Sequence, residues 1–195
     1  MPLLSLPGHH DGVFLAVQTQ LIATAIVVAA AALTATVGVP RLLQRQHQDE
    51  ALRELARLSK AASVYFVKPK LDAKTSMRAL CAFPPGEIRT TLAKSCCDPK
   101  VSDGEGLCDP GKIEWNRTLW GALKWKLSEP HAFIYEYKGV GELGAATFTV
   151  SAYGDLDCDG QYATFRYTGR ASAQSRPDDC LITEAPVFEA INPGE

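Results

Sequence analysis

Nineteen consecutive residues, Leu21 to Val39 (LIATAIVVAAAALTATVGV), carry no charge. As a helix at about 1.5 Å per residue they span about 28 Å, close to the hydrocarbon thickness of a bilayer. The surroundings sharpen this reading. Residues 1–40 contain no Lys, Arg or Glu and a single acid, Asp11, while all 20 Lys and Arg lie beyond them. A membrane-spanning helix joined to an ordinary soluble body is therefore expected. A cleaved signal peptide fits less well, because the run is long, no basic segment precedes it and no cleavage site follows it.

Pro40 is followed at once by a charged segment, 41–67, in which Leu52, Leu55, Ser59, Ala62 and Phe66 recur at spacings of three and four. That period makes one helix face small and apolar, and Ala, Leu, Gln, Arg and Glu at the other positions favour helix. One long helix over 21–67 is predicted, with residues 1–20 as a leader or flank. It is transmembrane to about residue 40, kinked near Gly38-Val39-Pro40, and amphipathic beyond.

The body carries six cysteines, Cys81, Cys96, Cys97, Cys108, Cys158 and Cys180. An even number beside a membrane segment points to three disulfides and an oxidising compartment, with buried free thiols or a metal as the other readings. Zinc is disfavoured because there is no C-x-x-C and His131 is the only histidine after His47. Six cysteines allow fifteen pairings. Proximity along the chain groups Cys158 with Cys180 and leaves Cys81, Cys96, Cys97 and Cys108 to one another.

Ile26 to Pro40, IVVAAAALTATVGVP, resembles the N-terminal helix of type IV pilins and pseudopilins (IVVAIIGILAAIAIP), ungapped over fifteen residues and with the proline in register. The resemblance implies a pilin-like α+β fold, with the long helix packed on a small antiparallel sheet. It also implies assembly with other pilin-like subunits through Ile26, Val27, Val28, Ala29, Ala32 and Pro40. Small residues along this stretch suit close helix approach in lipid. Where the family carries its cleavage glycine, its phenylalanine and its glutamate, this chain has Gln18, Thr19 and Ala23; Gly12, before Val13-Phe14-Leu15, is a second candidate cut. The missing glutamate turns the expectation toward a minor, tip or divergent subunit. Arg41, Arg45, Arg53, Arg57 and Lys60 all follow the span, and the positive-inside rule alone would place the body in the cytoplasm. The cysteines and the resemblance argue the reverse. The expected location is the bacterial inner membrane, single-pass, with the C-terminal domain periplasmic or extracellular.

Residues 68–130 are rich in Pro and Gly and hold four of the six cysteines, which reads as a cross-linked loop region. Trp115, Trp120 and Trp125 recur every five residues, matching neither a helix face nor a strand face, and are expected to anchor the loops on the sheet. Within 131–170, three aromatic and β-branched runs (131–137, 145–153 and 162–168) are separated by Gly- and Asp-containing turns, predicting a three-stranded antiparallel meander. Residues 171–195 read as a polar tail. Trp115 through Phe165 also resembles a group of pilin-like proteins of myxobacteria with an A-x-G-D-L-D-G-D-G block. Here that block is Ala152-Tyr-Gly-Asp-Leu-Asp-Cys-Asp-Gly, with Cys158 in place of a glycine.

Asp155, Asp157 and Asp159 before Gly160 form D-x-D-x-D-G, the opening half of an EF-hand calcium loop, with the Gln161 carbonyl as the next ligand. The twelfth position, where a closing acid belongs, is Arg166. A β-turn in which the Asp side chains cap backbone amides is the competing reading. The body has no nucleophile motif, no phosphate-binding glycine loop and no basic stripe for nucleic acid. The chain is thus expected to be a structural pilin-like subunit of a type IV pilus or type II secretion pseudopilus, not an enzyme. Its cofactor is none, or calcium. The alternative is a membrane-tethered, monomeric binding domain derived from the same fold.

Overall fold

Helix α1 is described over residues 45–67 and is set by the amphipathic period. A computed structural model of the chain describes residues 45–68, 71, 79–102, 106–116, 118–182 and 185–194. Among these no helix is long and apolar enough to cross a membrane. The span predicted over 21–39 lies outside the described residues, as do the packing positions Ile26 to Pro40 and the candidate cuts Gly12 and Gln18.

The body is α+β. Strands β1 (Gly86–Arg89), β2 (Ile134–Val140), β3 (Thr147–Gly154), β4 (Ala163–Arg170) and β5 (Val187–Ile191) form one sheet. They pair in chain order and antiparallel throughout. A short helix, α2 (Thr118–Leu123), lies in the connection between β1 and β2. Strands β3 and β4 fall within two residues of the aromatic runs that predict them, and β2 is shifted three residues on from 131–137. The two edge strands correct the prediction: β1 lies inside the expected loop region and β5 inside the expected tail. Both are short, four and five residues, and Pro84-Pro85 and Pro186 beside them read as loop signals.

Strand register sorts the sheet into two faces. Ile88, Tyr135, Tyr137, Phe148, Val150, Ala152, Ala163 and Phe165 share one face and are buried. Onto it packs the stripe Ala51, Leu55, Leu58, Ala62 and Phe66 of α1, each fully buried. The stripe is turned slightly from its predicted position, with Ala51 and Leu58 inside and Leu52 only partly covered. Phe66 stacks on Phe83 with centroids 4.5 Å apart, and Phe83 meets Phe148 at 4.8 Å. Gly169, opposite Phe148 across the strands, has no room for a side chain, because a Cβ there would overlap the Phe148 ring. The three tryptophans form one cluster with centroids 5.0–6.2 Å apart, and Trp125 reaches Tyr135 at 5.4 Å. They hold the β1–β2 connection against the core.

The opposite face is mostly polar, except where Ile134 is buried with Cys96, Val101 and Cys108. One row across all five strands reads Arg89, Glu136, Ser151, Arg166 and Glu189. Arg89 pairs with Glu136 at 3.3 Å, Arg166 donates to the Ser151 hydroxyl at 3.2 Å, and Arg166 pairs with Glu189 at 3.2 Å. Opposite charges placed side by side across strands support the register.

All six cysteines are in disulfides: Cys81–Cys180, Cys96–Cys108 and Cys97–Cys158. The expected Cys158–Cys180 pair is corrected. Cys158 lies in the turn before β4 and Cys180 beyond its other end. Eight strand residues at about 3.3 Å each separate those ends by roughly 26 Å, far beyond disulfide reach. Cys81–Cys180 closes a loop of 99 residues, which in the chain-entropy account is worth about 4–5 kcal/mol.

Replacing Leu58 by Ala is expected to cost about 2–5 kcal/mol in denaturant unfolding, since the side chain is fully enclosed. Leu92→Ala, at a residue 90% exposed, should change stability by no more than about 0.5 kcal/mol. Equal effects from the two would contradict the packing of α1 on the sheet.

Candidate cation-binding loop

The β3–β4 connection begins after the Gly154–Ala163 strand pair and runs through residues 155–162. Its sequence dictates a tight path. Gly160 has φ +92° and Cys158 φ +63°, the left-handed region in which glycine is at ease and other residues are uncommon. Cys158 is held there by its bond to Cys97, which ties the turn to the segment after β1. A Cβ at Gly154 would overlap the Phe133 ring, so the strand enters the turn pressed against the core.

The three aspartates converge. Asp155, Asp157 and Asp159 each present a ligand atom within 4.8 Å of those of the other two. Their environments differ. Asp157 and Asp159 are exposed, whereas Asp155 is 7% exposed. The Asp155 Oδ2 accepts the Gly160 N–H at 3.2 Å. Its Oδ1 is buried and has no hydrogen-bond partner among the described residues. Asp157 Oδ1 accepts the Asp159 N–H at 3.3 Å. Asp159 accepts the Gln161 backbone N–H at 2.8 Å and its side-chain amide at 3.0 Å. Those bonds, the backbone one first, draw the Asp159 carboxyl below its usual range. Both readings of D-x-D-x-D-G thus have a physical counterpart: the side chains cap turn amides, and three carboxylates face one another.

Arg166 neither closes nor opposes this cluster. It lies three residues up β4 from the last strand pair, on the polar face, engaged with Ser151 and Glu189. Chemically the loop offers oxygen donors alone, because its one sulfur, that of Cys158, is in a disulfide.

A second polar site is not anticipated by the sequence motifs. His47, Glu50, Arg53, Glu54 and His131 line a cleft of about 640 Å³ between α1 and residues 126–131. Glu50 accepts the Ala132 N–H at 3.2 Å and the Tyr135 hydroxyl at 3.1 Å. Burial pushes its carboxyl above the ordinary value of 4.5, against the pull of those bonds and of Arg53. Burial also lowers His131 from 6.5, opposed by the Glu129 carbonyl, Glu54 and Asp109. The signal was present in the helical period: Glu54 falls three residues after Ala51 and four before Leu58, inside the apolar stripe, and Glu50 is one turn earlier.

Comparison with family models, with curated proteins and with solved structures gives no match.

Glu50 generates a prediction of sign. A carboxyl raised on folding contributes stability that is complete below its unfolded value of 4.5 and is lost as pH rises through the folded value. Glu50→Gln keeps an acceptor for Tyr135 and Ala132 and removes that loss. In urea titrations from pH 4 to 7, the stability of the variant relative to the natural chain should increase as pH rises. Parallel curves would show that Glu50 does not carry the effect.

Proposed function

We propose that this chain is a pilin-like structural subunit, a minor, tip or divergent one, of a type IV pilus or type II secretion pseudopilus. It is anchored in the bacterial inner membrane with its disulfide-bearing head on the oxidising side. The observation that carries this reading is the placement of α1. A helix that follows an apolar, alanine-rich segment in sequence lays its buried stripe on the inner face of an antiparallel sheet, from Ala51 to Phe66. Three disulfides in the head support an extracytoplasmic location. The proposed partners are other pilin-like subunits, met through the Ile26–Pro40 segment, and the role consists of packing and display without reaction chemistry.

One observation favours the second reading, a tethered monomeric binding domain. A cleft of about 520 Å³ is lined by Arg57, Lys60, Lys68 and Lys124 around Val64, Leu123 and Trp125. Apolar lining with a cationic rim suits an amphiphilic anion.

Filaments sheared from native cells separate the two. The subunit reading expects the protein in the sheared fraction, with an intact mass shortened at Gly12 or Gln18. Full-length protein found in membranes alone would overturn the subunit reading in favour of the tethered domain.

A further inference from the structure

The Asp155 carboxylate poses a physical problem that the turn itself does not resolve. A carboxylate oxygen taken out of water needs a compensating partner. Asp155 Oδ2 has one in the Gly160 N–H, but Oδ1 is buried without any among the described residues. Two further carboxylates, Asp157 and Asp159, each bring an oxygen within 4.8 Å of the Asp155 carboxylate and of one another, and like charges at that distance repel. A purely structural turn would be better served by Asn at one of these positions, since Asn caps turn amides equally and carries no charge. A cation placed among the three would satisfy the buried oxygen and remove the repulsion together.

We propose that the β3–β4 turn is a structural calcium site, in which Asp155 Oδ1, one carboxylate oxygen each from Asp157 and Asp159, and the Gln161 backbone carbonyl bind the ion with water completing the shell. The donor set selects the metal class. Oxygen ligands without nitrogen or thiolate suit a hard cation and disfavour zinc or copper. Atoms separated by up to 4.8 Å are spanned by two calcium–oxygen bonds of about 2.3–2.6 Å. Magnesium, with bonds of about 2.0–2.1 Å and a strict octahedron, would require the loop to contract.

The same geometry sets the strength. An EF-hand completes its shell with a bidentate acid at the twelfth position, but here the chain has already entered β4, and Arg166 is committed to Glu189. With Arg166 where the loop's own closing acid belongs, the site falls with the weaker extracellular modules, at roughly 10⁻⁴–10⁻³ M. Its effect is local rigidity: the ion fixes the turn that Cys97–Cys158 ties to the segment after β1. This inference rests on the loop alone and stands independently of whether the chain assembles into filaments.

The test uses the full chain in detergent with its disulfides intact. Titration calorimetry with calcium chloride, and thermal unfolding across roughly 0.1–10 mM calcium, follow the two expected consequences. Binding should appear in the submillimolar to millimolar range, with Tm rising as calcium rises, and magnesium at equal ionic strength should give a markedly smaller effect. Asp155→Asn and, as an exposed position where misfolding is not a concern, Asp157→Asn should each weaken calcium binding about tenfold or more. Without calcium, Asp157→Asn should unfold at the same temperature as the natural chain or higher. A calcium-independent Tm with no binding heat, an equal response to magnesium, or an undiminished response in Asp157→Asn would each overturn the proposal.

Discussion

The seam between α1 and the sheet is the constraint on which the rest of the head depends. The inner face of the sheet carries Tyr135, Tyr137, Phe148 and Phe165, and without a cover those aromatics would stand in water. Much of the cover is a helical stripe of small and large residues, Ala51 and Ala62 letting the backbone approach while Leu55, Leu58 and Phe66 fill the gaps. Burying Leu55, Leu58 and Phe66 is worth about 1.5–3 kcal/mol each by surface removed from water. The rest of that face is covered by Phe83 and by the Trp120 and Trp125 rings of the β1–β2 connection, so the helix and this connection close the core together.

The head places its polar groups according to what each side of the sheet faces. On the outer face Arg89, Glu136, Arg166 and Glu189 remain partly hydrated, and their pairing supports register more than stability. At the near end of α1, Glu50 is half-buried and held by Tyr135 and Ala132. In the β3–β4 turn Asp155 is enclosed with one oxygen unpartnered.

Much of the fold was legible because its signals are periodic. The three and four spacing of α1 and the aromatic alternation of β2, β3 and β4 each report a face that is half buried, and each element lies close to where its period places it. The edge strands were not legible, since Gly86–Arg89 and Val187–Ile191 are too short for a period and lie beside prolines. Their pairing is dictated by neighbours distant in sequence. Disulfide connectivity was hidden for a related reason: Cys158 and Cys180 are close along the chain, but β4 runs between them and carries them apart. At the candidate site the carboxylates were readable from D-x-D-x-D-G, whereas the burial of Asp155, which separates it from its two neighbours, follows from packing that no local pattern encodes.

The Cys81–Cys180 bond also imposes an order of events. It joins the segment just before β1 to the segment just before β5, so its two sulfurs enclose nearly every other element of the head. A chain delivered amino-terminus first presents Cys81 while its partner is still 99 positions away along the chain. During that interval Cys96, Cys97, Cys108 and Cys158 all become available, so Cys81 reaches its partner only by staying free of them or by exchange. The cross-link therefore acts as a completion mark: it closes only after β4 has been delivered.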